Sequence, residues 1–385
     1  MITQEPAGES KAVITKGPRL LSLDFFRGFT MASMILVNNP GSWAHIYAPL
    51  EHSEWNGCTP TDLVFPFFLF IVGVSIVYAM ESKKADASLH GKLLLSVLRR
   101  AVTIILLGMC LSLVWKFDLA HLRIPGVLFR IGVVFGISAL IYIKTSVRTQ
   151  LYTAIVLLVG YYLLMNFVPV PGFGPANLEP ATNLGAWLDR LVFTENHLWK
   201  SSKTWDPEGL LGTLPAIGTS LIGILTGTWL KKGKLKTVKD LGVIAGAGLA
   251  LVVLALIWDT FFPINKSLWT SSFVLFTAGL GIIILSLSYW IIDIKKYQLL
   301  IWPFVAFGRN AITAFVLSGV LPRLSSFIPV TAEGKQTNIW AYVNEYIFFA
   351  NLSPNNASLI SAFTVVLLIF IPIWWMYKKN VIVKV

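Results

Sequence analysis

Residues 51 to 68 read EHSEWNGCTPTDLVFPFF, a titratable cluster placed directly before a run of phenylalanines. His52 is the residue in it best suited to chemistry. Histidine has an ordinary pKa of roughly 6.5, so it can move a proton near neutrality. An imidazole can also take an acyl group as a nucleophile. His45 and His197 are the other histidines that compete for such a role. The chain contains no HExxH, no GxSxG, no phosphate-binding glycine loop and no carboxylates at metal spacing, so no metal site is expected. Its two cysteines, Cys58 and Cys110, make no disulfide framework.

A second group of residues stands out by being charged where the chain is otherwise apolar. In LLSLDFFRGFTMASMILVNN, Asp24 and Arg27 are three apart and can pair on one helix face. Asn38 follows Arg27 by about three full turns at 3.6 residues each, so the two share a face. Arg130 sits inside RIPGVLFRIGVVF and Arg309 inside FVAFGRNAITAF. Ionisable groups in apolar spans are costly and mark functional sites by default. Only Asp24 and Asp62 are near enough in sequence to answer these three arginines. The surplus positive charge suits an anionic ligand such as phosphate groups; bracing of the bundle is the plainer alternative. Asp206 and Glu208 begin a later span. They either serve the helix dipole or bind the amine or hydroxyls of an acceptor. Trp55, Trp199 and Trp205 either stack on sugar faces or belong to an interfacial aromatic belt.

The elements that must position these residues are membrane helices. Of 385 residues, 55% are hydrophobic and 13% charged, against about 25% charged in ordinary soluble domains. Mean hydropathy is +0.71. The fold class expected is all-α, a polytopic membrane protein. Ten apolar stretches are near the roughly 20 residues that cross a bilayer: 20–39, 62–81, 97–115, 124–143, 149–168, 209–230, 241–262, 270–292, 300–321 and 357–377. The first is no signal peptide, since it holds Asp24 and Arg27 and lacks a cleavage site. The segment 339–350 is apolar but short and reads as an interfacial helix, with an eleventh span as the alternative. Ten spans place both termini on one side. That side collects 20 of the 31 lysines and arginines, Arg99 and Arg100 at the start of the third span among them, the other side collects 8, and the remaining 3 lie deep within spans. Positive charge stays inside, so the termini are cytoplasmic. The net charge of +12, including the KKGKLKTVK run at 231–239, is then topology rather than a nucleic-acid surface. Residues 40–60, 169–208 and 322–356 form the long outer loops, which places His52 outside.

Several stretches together resemble one family. RLLSLDFFRGFTMASMILVNNPG, HSEWNGCTPTDLVFPFFLFIVGVSI, RIPGVLFRIGVVF, DPEGLLGTLPAI, NKSLWTSSFVLFTAG and PFVAFGRNAI look, in this order, like the heparan-α-glucosaminide N-acetyltransferase family. HSEWNG with DLVFP, and DPEGLLGT, are the specific parts. DFFRG is shared more widely among membrane acyltransferases. The resemblance implies a single transmembrane acyltransferase domain at 20–377, between cytoplasmic tails 1–19 and 378–385. It implies transfer of an acetyl group from cytoplasmic acetyl-CoA to an amine of a sugar on the other side. The family's active-site histidine falls on His52 and its neighbouring asparagine on Asn38, although the interval between them is longer here. Arg130, Arg309 and Arg27 would then meet acetyl-CoA. Asp206, Glu208, Trp55 and Asp62 would meet the acceptor. A relative in a bacterial inner membrane would act on a periplasmic amino sugar or envelope glycan rather than heparan. Its partners would be that acceptor and the bilayer, with a homodimer left open and nucleic acid not expected. Two other readings stay open: O-acetylation of an envelope polysaccharide, and a secondary transporter with the buried charges as coupling path. No clear internal repeat favours the transporter.

Overall fold

The computed structural model describes residues 20–114, 117–232 and 238–383. The tail 1–19, the centre of the basic run 231–239 and the last two residues of the tail 378–385 lie outside the described residues.

Each of the ten apolar stretches is helical. They are α1 (Leu21–Asn38), α2 (Val64–Lys84), α3 (His90–Leu113), α4 (Val127–Lys144), α5 (Val147–Phe167), α7 (Leu210–Lys232), α8 (Val238–Asp259), α9 (Ser271–Ser288), the pair α10 (Trp302–Arg309) and α11 (Ala311–Leu324), and α14 (Pro354–Lys378). Among the described residues, eight helices are long and apolar enough to cross a membrane, or nine if α10 and α11 form one broken span. Helix α1 is not one of the eight; Asp24, Arg27 and Asn38 lower its hydropathy.

The core centres on α2 and α7, which pack along their length and are flanked by α4 and α9. Leu69, Phe70, Val74, Leu221 and Ile224 are fully enclosed there. Small residues permit the close approach. A Cβ on Gly223 would fall 2.1 Å from the Phe70 carbonyl oxygen. Membrane helices associate through backbone contact of this kind, because lipid supplies little hydrophobic drive between them. The same device joins α1 to α10, where a Cβ on Gly28 would fall 1.6 Å from the Phe304 oxygen. The start of α1 is held by Asp293, whose carboxylate accepts from the backbone N–H groups of Leu21 and Ser22 at 3.3 and 3.0 Å.

Two features depart from the sequence reading, and a hairpin not foreseen in it precedes the short helix expected at 339–350. The ninth span is not straight: α10 and α11 meet at 87°. Asn310 breaks the helix with φ −124 and ψ 38. Its side chain then holds the C-terminal segment, donating to the Val381 carbonyl at 3.2 Å and accepting from Val383 N at 3.3 Å. Arg309 therefore sits at a corner, not in the middle of a span. The loop 169–208 contains a helix, α6 (Leu184–Phe193), with Asn183 as its N-cap. The stretch near 339–350 is helical, α12 (Ile339–Tyr342) running through a π-helical turn (Val343–Phe348) into α13 (Phe349–Asn351). It follows a hairpin of β1 (Pro329–Ala332) and β2 (Lys335–Asn338).

Candidate active site

The residues ahead of α2 fold into a compact turn that presents His52. Thr59 and Asp62 form a capping box around a short 3₁₀ turn, Pro60–Leu63. Such a box pairs orphan backbone donors with side chains reciprocally. Asp62 is fully buried, and its Oδ2 accepts from Ser53 N and Thr59 N, both at 3.0 Å. Oδ1 is turned to His52, whose Nδ1 lies 2.7 Å away. A carboxylate only accepts, so this contact suits the tautomer with its proton on Nδ1 and its lone pair on Nε2. The His52 side chain is 45% exposed, so a reactant can reach the ring.

A third member comes from far along the chain. Lys266 places Nζ 2.9 Å from His52 Nδ1, 3.3 Å from Nε2 and 3.4 Å from Asp62 Oδ1. The loop carrying it is stapled to the His52 loop. Gly57 N donates to the Ile264 carbonyl at 2.7 Å, with Gly57 at φ +107, where a side chain would be strained. The Asn265 amide donates to Asn56 at 3.1 Å and accepts from Leu268 N at 2.8 Å. Trp269, at φ 56, turns the chain into α9 and is buried against Phe65 and Phe273. Burial pulls the Lys266 ammonium below the usual lysine range, although Asp62 and Glu208 push the other way. Burial, together with the Asp62 charge, pushes the nearby Cys58 thiol up to about 12. Cys58 is therefore a protonated thiol near neutrality and no nucleophile.

Beside this cluster lies a second, made of the carboxylates expected to face an acceptor. Arg123 binds Asp206 with two donors, at 2.8 and 2.6 Å, and also pairs with Glu208. Burial alone would lower the Arg123 guanidinium, but the two acids hold it above its ordinary value. Burial pushes Asp206 up despite that partner. Both carboxylates are enclosed and bound to Arg123 rather than turned to solvent. Arg130 is wholly buried over the Trp269 ring, 5.0 Å from its centroid. It donates to the Gly209 carbonyl at 2.9 Å, while its Nε and Nη1 find no partner among the described residues. Trp55 joins Trp205 and Trp199 in an edge-on aromatic series with centroids 5.1 and 5.6 Å apart, and its indole N–H donates to the Leu178 carbonyl.

The other named residues lie elsewhere. Asn38 is the exposed last residue of α1, and no hydrogen bond of its side chain is present among the described residues. Arg27 does pair with Asp24, at 3.2 Å, and also donates to Ser75 and to the Gly308 carbonyl. Arg309 contacts Asn380 at 3.3 Å and lies over Tyr377. His197 is bound to the Leu122 carbonyl and His45 packs near Phe349. Sequence reasoning missed Lys266, counting it only as an outer charge. The available signal was its place in NKSLWTSS, a lone lysine at a helix entrance as Asp62 is a lone acid at another.

A bundle of apolar helices with charged groups gathered around His52 at one end is the arrangement of a polytopic membrane protein with a candidate site at that end. The comparison with known proteins narrows the class. Residues 19–246 match the family described as heparan-alpha-glucosaminide N-acetyltransferase, catalytic, and the chain belongs to that family. Curated relatives of that name in Homo sapiens and Mus musculus are 32% identical over 359 residues and 31% identical over 368 residues. The alignments cover 78% and 80% of this chain, and 52% and 54% of the relatives. The chain thus spans about half the length of the curated relatives it matches.

Proposed function

We propose that this chain is a transmembrane acetyltransferase. It takes the acetyl group of acetyl-CoA from the cytoplasmic side and delivers it to an amino sugar or envelope glycan on the periplasmic side of a bacterial inner membrane. Family membership supports the reaction class. With α1 and the broken α10–α11 pair counted as crossings, the charge asymmetry of the loops supports both termini inside. The observation that carries the reading is the geometry of His52: Nδ1 lies 2.7 Å from buried Asp62 on a ring 45% exposed, a pairing that favours the tautomer with its lone pair on Nε2.

In the reaction, the acceptor's ammonium first releases one proton to the outer water, and Nε2 takes a second proton from the resulting amine as it attacks. The amine nitrogen attacks the thioester carbonyl carbon, and a C–N bond forms as the carbonyl electrons move to oxygen. Collapse of that oxyanion breaks the C–S bond, and the CoA thiolate takes the proton back from His52. A base placed in this way contributes about 10²–10⁴-fold. The same lone pair can instead hold the acetyl group between donor and acceptor. Asn38 would give its amide N–H to the oxyanion, which requires the segment between Asn38 and His52 to close over the substrate. For the donor, Arg309 at the inner corner is the residue we place on the CoA phosphates, since its Nε is buried without a partner among the described residues. Arg27 is engaged with Asp24, Ser75 and the Gly308 carbonyl, and Arg130, whose Nε and Nη1 also lack partners among the described residues, stands beside Gly209 and Trp269 at the other end of the path. The tryptophan series of Trp55, Trp205 and Trp199 offers the acceptor sugar an apolar face.

The test uses proteoliposomes with radiolabelled acetyl-CoA on the cytoplasmic face and glucosamine on the other. Label should appear in an N-acetyl group on the far side. Label that crosses unchanged, or never leaves the donor, would replace this reading with a transporter or exclude acetyl transfer.

A further inference from the structure

We infer that Lys266 is a positioning residue whose positive charge sets how readily His52 accepts a proton. The inference rests on the role proposed for His52 and adds a residue to it. The geometry leaves little choice of hydrogen-bond pattern. Nδ1 of His52 has Asp62 Oδ1 at 2.7 Å and Lys266 Nζ at 2.9 Å. Asp62 only accepts and Lys266 only donates, so Nδ1 cannot serve both. The carboxylate accepts the hydrogen bond from Nδ1–H, Lys266 can donate to Asp62 Oδ1 at 3.4 Å or to Nε2 at 3.3 Å, and in either case its ammonium stands against the ring as a point charge.

That charge matters when the proton arrives. An imidazolium at His52 meets one partner that welcomes it and one that repels it. Asp62 comes from the turn leading into α2, and Lys266 from the loop leading into α9. Glu208, at the entrance to α7, bears on Lys266 through its charge. On the histidine's own loop stand the exposed Glu51 and Glu54 and the protonated Cys58 thiol. With Asp62 alone, the base would hold its proton tightly and give it up slowly to the leaving thiolate. With Lys266 opposing, the proton is held briefly and the lone pair is kept available between turnovers. The hydrogen bonds of Gly57 with Ile264 and of Asn265 with Asn56 and Leu268 keep the ammonium in place before substrate binds.

The experiment reads the imidazole directly. Diethyl pyrocarbonate acylates only the unprotonated ring, and peptide mass spectrometry of the intact protein in proteoliposomes resolves His52 from the other four histidines. The rate against pH gives the midpoint of His52. In Lys266→Met, loss of the cation favours the imidazolium, so the midpoint should rise by about one pH unit or more. Lys266→Arg should hold the wild-type midpoint. The acid limb of acetyl transfer should move upward with it. If Lys266→Met fails to fold, Lys266→Gln keeps a donor toward Asp62 and reads the same loss of charge. A midpoint unmoved or lowered in both neutral variants overturns the inference, whatever the turnover. Full activity in His52→Ala would instead overturn the role of His52, a separate outcome.

Discussion

Replacing Asp62 by asparagine changes one oxygen to an NH₂ group and should nearly silence the enzyme. Oδ2 of Asp62 accepts from two backbone N–H groups at 3.0 Å, and the Thr59 hydroxyl lies 3.1 Å away. An asparagine must keep its oxygen on that side, or face N–H against N–H. Its NH₂ then turns to His52 and donates to Nδ1. The imidazole answers by moving its proton to Nε2, and the lone pair that should receive the acceptor's proton is gone. An exchange of this type beside a catalytic histidine lowers kcat by about 10⁴. The fold should survive. The variant trades charge-assisted hydrogen bonds for neutral ones and deprives Lys266 of its counter-charge, which costs about 1–3 kcal/mol. The assay is single-turnover transfer from radiolabelled acetyl-CoA in proteoliposomes, with an apparent melting temperature measured on the same preparation. Activity within tenfold of wild type in folded Asp62→Asn protein would refute the tautomer argument.

The outer charge cluster gives two further expectations. Arg123→Met strands Asp206 and Glu208, whose side chains are 0% and 8% exposed, and should cost about 3–5 kcal/mol; a melting temperature near wild type would show that Arg123 does not hold the cluster. Burial pushes the Asp189 carboxyl up to about 7, against the hydrogen bond from Leu210 N. The native state therefore keeps a proton that the unfolded chain releases from about pH 4, and stability falls as pH climbs toward 7. Asp189→Asn should stabilise the protein at pH 8 by up to about 4 kcal/mol, and at pH 5 by only about 1–2 kcal/mol. An equal effect at both values would show that the carboxyl is not protonated in the native state.

The apolar runs behind α2, α7, α9 and α14 were readable because a bilayer-length helix needs little but hydropathy and length. The break at Asn310 was not, since apolar residues flank it on both sides and the bend is held by Val381 and Val383, some seventy positions away. Helix α6 could have been found: Asn183 caps an amphipathic stretch by accepting from Ala186 N at 2.9 Å, a start signal visible in the sequence. Within the site, the partnership of His52 and Asp62 spans ten residues and follows from the capping box at Thr59. Asp62 had been set among the acceptor's contacts, whereas burial assigns it to His52. Lys266 reaches His52 across 214 positions, a closure that depends on how two loops meet above the bundle and leaves no local pattern. Asp206 and Glu208 read in the sequence either as serving the helix dipole or as meeting an acceptor. That they answer Arg123 was hidden because the arginine lies 83 and 85 positions earlier.

The central claim is that acetyl transfer runs through His52. The most direct measurement is acetyl transfer to glucosamine by purified His52→Ala protein in proteoliposomes, with acetyl-CoA binding and melting temperature recorded beside it. The expected result is a fall of about 10²–10⁴-fold or more, with donor binding and folding retained, because the ring at 45% exposure supplies chemistry rather than core packing. Near-full transfer in folded His52→Ala protein would contradict the account, and the base would have to be sought at His45 or His197.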